Sequence, residues 1–320
     1  MTKLPLTLAC TASDRTRPVL DGRVSVPGVD FVMLPGEPED IFRRALRDRA
    51  FDVCELSMGS HIVTAARGDG PYVGVPVFPS RAFRHSAVYV RTDRGIAGPG
   101  DLAGRAVGLP EYQQTAALWV RGILREHHAV DTRGIAWRTG GERVPISLPE
   151  GLDVRPLGEG LQEALAAGRI DALVAPRPPG AFEDRSAPVG RLWPDYRAEE
   201  VAWHRSTGFF PIMHCLAVRR DVAERHPWLP VELFRAFARA RAIALDELRL
   251  VNVLRVSMPW AAAAFEEQAA IMGGDPWPYG FARNRDEVAA MIRFAVADGL
   301  AAEPIAPEAL FHPSTLAEAA

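Results

Sequence analysis

Cysteine is scarce in this chain. Cys10, Cys54 and Cys215 are the only three in 320 residues. An odd number without CxxC spacing, each set among apolar neighbours, argues against a disulfide framework or a cysteine-ligated zinc and for buried, reduced thiols. Long apolar runs are missing too: nothing approaches the roughly 20 residues a membrane span needs. Met1 to Ala12 carries one lysine and a short apolar stretch broken by Pro5, far from a secretory signal. The cytoplasm is therefore the expected compartment, and no membrane partner is expected. Nor is there an excess of charge of either sign. With 37 basic against 40 acidic residues, a net charge of -3 and good mixing along the chain, nothing resembles a nucleic-acid footprint, so any anion site must be local. GxxxxGK[ST] is absent, and no GxSxG or GxGxxG is placed to act, which removes nucleotide-binding and serine-hydrolase readings. His61, His85, His204 and His214 with Glu55 show none of the HxxxH, HxH or HExxH spacings that fix a ligand pair on one element. No metal site is assigned and no cofactor is expected, although assistance by a divalent ion stays open.

The patterns present are those of an α/β protein. Leu4 to Cys10 and Val29 to Leu34 read as strands around the turn-rich Asp14-Arg15-Thr16-Arg17, and Pro38 to Arg49 as an amphipathic helix. Phe51 to Leu56, Tyr72 to Phe78 and Ser86 to Val90 read as further strands, with a helix over Ser57 to Ala66. The glycine-rich Gly95 to Gly104 marks a boundary. Beyond it, Pro110 to Thr115 opens a helix running to about His127, Gly160 to Gly168 is a second, and Ile170 to Val174 a buried strand leading into the stiff Ala175-Pro176-Arg177-Pro178-Pro179. Phe182 to Arg205 reads as irregular, Ile212 to Val218 as a strand and the chain from Ala223 onward as mostly helical. At 320 residues two lobes are expected rather than one. The expected division is 1–91 with 215–320 in one lobe, including a helical tail, and 92–214 in the other, with ligand-binding loops at strand ends facing a cleft between them.

The run Phe78 to Arg91 carries the most chemistry. Arg81, Arg84 and His85 immediately precede a strand, which makes a local anion site with a titratable neighbour. The plainer alternatives are a solvated basic turn, arginines paired with acids, and a satisfied core histidine.

Phe51-Asp52-Val53-Cys54-Glu55-Leu56-Ser57, Pro76 to Arg91, Pro110-Glu111-Tyr112-Gln113, Thr207-Gly208-Phe209-Phe210-Pro211-Ile212-Met213-His214, Arg225-His226-Pro227-Trp228 and Asp275-Pro276-Trp277-Pro278-Tyr279-Gly280 together resemble the 4,5-dihydroxyphthalate decarboxylases, in the family's order and over nearly the whole chain. Cys54 departs from the serine of the pattern, and Gly134 to Gly158 matches no part of it. The resemblance implies a two-lobed fold similar to a type II periplasmic binding protein without an export signal. It also implies loss of one carboxylate from 4,5-dihydroxyphthalate to give protocatechuate, in phthalate degradation. Such a reaction needs a cation for the spared carboxylate, a group that takes or shares the phenolic proton, and an acid for the ring carbon. Arg81 and Arg84 are assigned to anion binding, with Arg15 and Arg177 as further candidates. His85 is the leading proton donor, and Glu55, inside an apolar strand, is either the base for the catechol hydroxyl or a structural partner of an arginine. His214 is placed at the cleft floor or hinge as a third catalytic candidate. Ser57, Glu111, Tyr112, Gln113 and Thr115 are expected to contact substrate, although helix-dipole compensation also explains Glu111. The expected partner is a small aromatic dicarboxylate, and the apolar tail around Val251, Leu254 and Trp260 is compatible with a homo-oligomer. Two other readings stay open: a non-catalytic solute-binding protein for an anionic aromatic ligand, and a related decarboxylase or lyase of a biosynthetic pathway.

Overall fold

The computed structural model describes residues 3–320. The strands among them, in chain order, are β1 (Leu4–Cys10), β2 (Val29–Pro35), β3 (Val53–Ser57), β4 (Tyr72–Arg81), β5 (Val88–Arg91), β6 (Ala106–Leu109), β7 (Ala136–Thr139), β8 (Val154–Pro156), β9 (Ala172–Val174), β10 (Val189–Arg191) and β11 (Ile212–Arg219). They form two mixed sheets, and the chain divides into two compact units: Met1–Arg81 with His214–Val288 and Ala306–Ala320, and Ala82–Met213 with Ala289–Ile305.

The first unit holds a five-stranded sheet of order β2-β1-β3-β11-β4. β1 runs parallel to β2 and β3, and β11 enters antiparallel to β3 with His214 opposite Ser57 and Leu216 opposite Glu55. The apolar strands are covered by amphipathic helices. Pro38–Asp48 starts on a proline at its first turn, carries Glu39 and Asp40 where the helix dipole favours acids, buries Ile41, Phe42 and Ala45, and stops at Arg49 in the left-handed region. Helix Met58–Arg67 springs directly from the end of β3, and Gly68 at φ 75 ends it.

The second unit holds a six-stranded sheet of order β10-β5-β9-β6-β7-β8. Tyr89, Ala164, Leu165, Ile170 and Leu173 pack as a core on it. Helix Thr115–His128 is buried along its first ten residues. There Gly122 faces the Phe294 ring so closely that an added Cβ would lie 2.3 Å from a ring carbon. Gly122→Val is therefore expected to cost about 1–3 kcal/mol by overpacking, read as a fall in the urea midpoint without change of slope.

Three features differ from the sequence expectation. β5 hydrogen-bonds to β9 and β10, so residues 82–91 belong to the second unit and the first crossing comes at Arg81 rather than Arg91. Ala289–Ile305, the end of the helical tail, also joins the second unit. The stretch expected to be irregular contains β10 and helix Tyr196–Thr207, capped by the Asp195 carboxylate on Ala198 N–H and ended by Gly208. That strand has only three residues, and the helix buries only Glu200 and Trp203, so neither leaves a clear apolar period. Among the described residues no helix is long and apolar enough to cross a membrane.

Candidate active site

The register of β3 and β11 creates a carboxylate–imidazole pair in the first unit. His214 lies two residues before Leu216, the partner of Glu55, so the two side chains are diagonal neighbours on one face. His214 Nδ1 sits 2.5 Å from Glu55 Oε1, and Glu55 Oε2 accepts the Thr11 N–H at 2.7 Å where the chain leaves β1. The edge of the Phe42 ring packs on the imidazole at 4.8 Å. Burial alone pushes the Glu55 carboxyl upward. The His214 hydrogen bond and charge and the Thr11 amide outweigh it and hold the group below the ordinary carboxylate range. An ionised Glu55 requires the hydrogen on Nδ1 of His214. The other ring nitrogen, Nε2, has no hydrogen-bond partner among the described residues, and the His214 side chain keeps 16% of its surface against 1% for Glu55. The pair can thus deliver or take a proton at Nε2 while the carboxylate fixes the tautomer and the ring orientation.

Ser57 is buried opposite His214, and helix Met58–Arg67 starts beside it without a side-chain cap. In the same unit Arg15 donates from Nε to Pro79 O at 2.7 Å, pairs with Asp14 at 2.7 Å and lies 3.9 Å over the Trp277 ring. Arg81 is buried and pairs with Glu287 at 3.1 Å, while donating to Pro278 O at 3.0 Å and to Asn284 Oδ1. Its charge is answered by the fold, which is the ion-pair alternative to anion binding.

In the second unit Arg84 differs from Arg81. Its Nε donates to the Met213 thioether at 3.1 Å, and no ion pair holds it among the described residues. Burial lowers it to about 10, with Glu200 acting in the opposite direction. His85 is buried between Trp193 and Trp203, at 5.0 and 5.8 Å between ring centroids, with Nδ1 unpartnered. Burial, then His128 and His127, lower it to about 4, so at neutral pH it is an uncharged interior histidine. Its proton affinity is depressed on folding, so its contribution to stability is present above its ordinary value of 6.5 and is lost as pH falls toward 4. We expect its C2–H resonance to titrate near pH 4, and His85→Leu to flatten the acid side of the stability curve over that window.

Glu111 pairs with Arg143 at 3.1 Å. Tyr112 is structural on both sides: its N–H donates to Glu142 at 3.1 Å, and its ring lies under the Arg121 guanidinium at 4.0 Å. Gln113 is buried with Oε1 unpartnered, Thr115 is buried at the start of its helix, and Arg177 is exposed. Sequence reasoning did not single out Thr11, Phe42, Glu200 or Glu142. Glu142, raised to about 7 by burial, lies in the stretch without a recognisable pattern. The three thiols are free and buried. Among the described residues no three His, Cys, Asp or Glu side chains converge as a metal-ligand set.

No family model matches the chain. A curated relative, the 4,5-dihydroxyphthalate decarboxylase of Comamonas testosteroni, is 42% identical over 325 residues, spanning 99% of this chain and 98% of its own. The chain belongs to the 4,5-dihydroxyphthalate decarboxylase family. A second family member, from Pseudomonas putida, is 41% identical over 218 residues, or 65% of this chain and 84% of its own. Among solved structures, the periplasmic aliphatic sulphonate binding protein SsuA of Escherichia coli superposes with a TM-score of 0.58 at 12% identity, over 99% of this chain and 100% of its own. The alkanesulfonate-binding SsuA of Xanthomonas axonopodis pv. citri superposes with a TM-score of 0.54 at 14% identity, over 97% of this chain and 99% of its own. At these identities the likeness gives the fold, that of a periplasmic binding protein, and nothing of the ligand. In this decarboxylase family member, the sequence segments that carry the resemblance supply β3 with Glu55, the turn with Arg84, and the approach to β11 with His214.

Proposed function

We propose that this carboxy-lyase converts 4,5-dihydroxyphthalate to protocatechuate with His214 as the proton donor and Glu55 as the residue that positions it. The observation carrying the proposal is the 2.5 Å Glu55–His214 contact with Nε2 left open. Each hydroxyl of the substrate is para to one carboxylate, so partial loss of its proton pushes electrons to the ring carbon bearing that carboxylate. That carbon takes a proton from His214 Nε2. The carbon–carbon bond then breaks, its electron pair returns to the ring, and carbon dioxide leaves. One proton enters and one carbon dioxide departs, with no change of oxidation state needed from the protein.

Within the second unit, Arg84 is proposed as an anion-binding residue, because unlike Arg81 it is held in no ion pair among the described residues, the Glu200 charge acting on it without such a contact. Arg84→Met is expected to raise KM about 10–100-fold with a smaller change in kcat, the loss of one charge-assisted contact of about 1.5–3 kcal/mol. A non-catalytic solute-binding role has no comparable support, since binding alone gives no reason for a buried carboxylate to orient an imidazole. The decisive assay is incubation of chelator-treated protein with 4,5-dihydroxyphthalate, following protocatechuate by chromatography with and without added divalent ions. We expect product at the same rate in both. Product only with metal would place the histidines in a ligand sphere instead, and tight binding without turnover would sink the proposal. The cytoplasm is proposed as the compartment, since three buried, unpaired thiols suit a reducing environment; cell fractionation checks it.

A further inference from the structure

Two neighbouring glutamine oxygens in the second unit are buried without a partner. Gln113 is 0% exposed, and its Oε1, like Oε1 of the adjacent half-buried Gln114, accepts no hydrogen bond among the described residues. The other end of the Gln113 amide fixes its orientation: Nε2 donates to Glu111 Oε2 at 3.4 Å, which turns the oxygen away from that carboxylate. A buried acceptor left unpaired costs about 1–3 kcal/mol, which a ligand that supplies a donor returns on binding. The place suits a ligand. β6 runs parallel to β7 and β9, and both glutamines lie in the turn between the carboxyl end of β6 and helix Thr115–His128. Glu142, in the loop after the carboxyl end of β7, reaches the same turn and accepts the Tyr112 N–H at 3.1 and 3.2 Å. Loops that follow adjacent parallel strands are where open α/β sheets bind their ligands.

We propose that Gln113 and Gln114 are specificity residues that accept hydrogen bonds from phenolic hydroxyls, so that this helix start reads the catechol edge of the substrate and not a carboxylate. The inference rests on 4,5-dihydroxyphthalate as the substrate. A helix N-terminus by itself favours an anion, but the groups gathered here oppose one. Glu111 is answered by Arg143 at 3.1 Å, whereas Glu142 is held by a backbone N–H, and the two glutamine oxygens present further partial negative charge. Burial first, and the Glu111 charge with it, raises Glu142 to about 7, so a carboxyl already in this neighbourhood resists ionisation. A hydroxyl meets both demands: it gives its hydrogen to a glutamine oxygen and can take one from a helix N–H, whereas a carboxylate only accepts. A site built to pair with a hydroxyl also discriminates strongly against an analogue that lacks it, because the buried acceptor is then left unpaired again.

The test is titration calorimetry of the full chain with protocatechuate and with benzoate, which share a carboxylate and differ only in the two hydroxyls. The wild type is expected to bind protocatechuate about 10–100-fold more tightly, and Gln113→Leu to bring the two within about threefold by weakening protocatechuate alone. Because leucine removes an unpaired buried acceptor, the urea midpoint of the unliganded variant is expected to stay or rise. Gln114→Leu, at a half-buried position, is expected to lower the affinity ratio in the same direction, and it reads the contact even if the first variant does not fold. Equal affinity of the wild type for the two ligands would overturn the proposal. So would a ratio that both variants leave unmoved, or a loss of benzoate binding in Gln113→Leu as large as that of protocatechuate. Only binding is read, so absence of turnover by the wild type would count against the His214 step and leave this contact standing.

Discussion

His214→Ala is expected to lower kcat for 4,5-dihydroxyphthalate by about 10²–10⁴-fold, the range a positioned general acid contributes, with little change in the unfolding midpoint. The argument rests on exposure and pairing. His214 keeps an open Nε2, packs by its ring on Phe42 and owes its orientation to Glu55, so its removal takes away the proton source without opening a large core void. Glu55→Gln separates positioning from proton transfer. An amide preserves size but presents the Nδ1 hydrogen with an acceptor in only one of its two orientations, so the imidazole is held less firmly and kcat is expected to fall with little change in KM. A purely structural Glu55 would lower stability and leave kcat in place. In heavy water the product should carry one deuterium on the ring carbon that lost its carboxylate. A kcat within threefold of wild type in His214→Ala would discard the dyad as the acid.

Asp298→Ala is expected to cost about 3–5 kcal/mol of stability, the penalty for removing one partner from a buried ion pair. Asp298 accepts from Arg121 Nε at 2.6 Å and from Arg125 Nη1 at 2.8 Å, and both Asp298 and Arg121 are almost wholly buried. Arg121 also donates to Tyr112 O at 2.8 Å. The carboxylate thus ties helix Thr115–His128 and the turn before it to the end of helix Phe281–Ala297 within the second unit. Without it a guanidinium stays in the interior with no counter-charge. Asp298→Leu combined with Arg121→Met, which removes both charges, is expected to recover much of the loss, because the cost comes from the unpaired ion and not from absence of the pair. Urea titrations of the single and double variants measure the difference.

Local pattern made much of the architecture legible. Alternating apolar residues marked β1 and β2, a proline start with a 3.6-residue apolar stripe marked helix Pro38–Asp48, and the set of motifs along the chain pointed to the family that the curated relatives then showed. The apolar neighbours of the cysteines foretold their burial. Where a signal was short or polar, as in β10 and helix Tyr196–Thr207, the pattern had nothing to report.

The site divides along the same physical line. That Glu55 and His214 are chemically apt could be read from residue type and context, because an acid in an apolar strand and a histidine entering one are costly unless used. That they meet, 159 residues apart, follows only from the antiparallel register of β3 and β11. Likewise Arg81 and Arg84, three positions apart and alike in sequence, differ in surroundings because Glu287, 206 residues from Arg81, holds one in an ion pair while the other donates to the Met213 thioether. The sequence by itself determined the strongly patterned strands and helices, such as β1, β2, β3 and Pro38–Asp48, and which family they compose, since those depend on local period and motif. Only the tertiary structure decided which charges are answered and which nitrogen stays open, since a partner's identity is set by long-range strand and helix pairing that no local window contains.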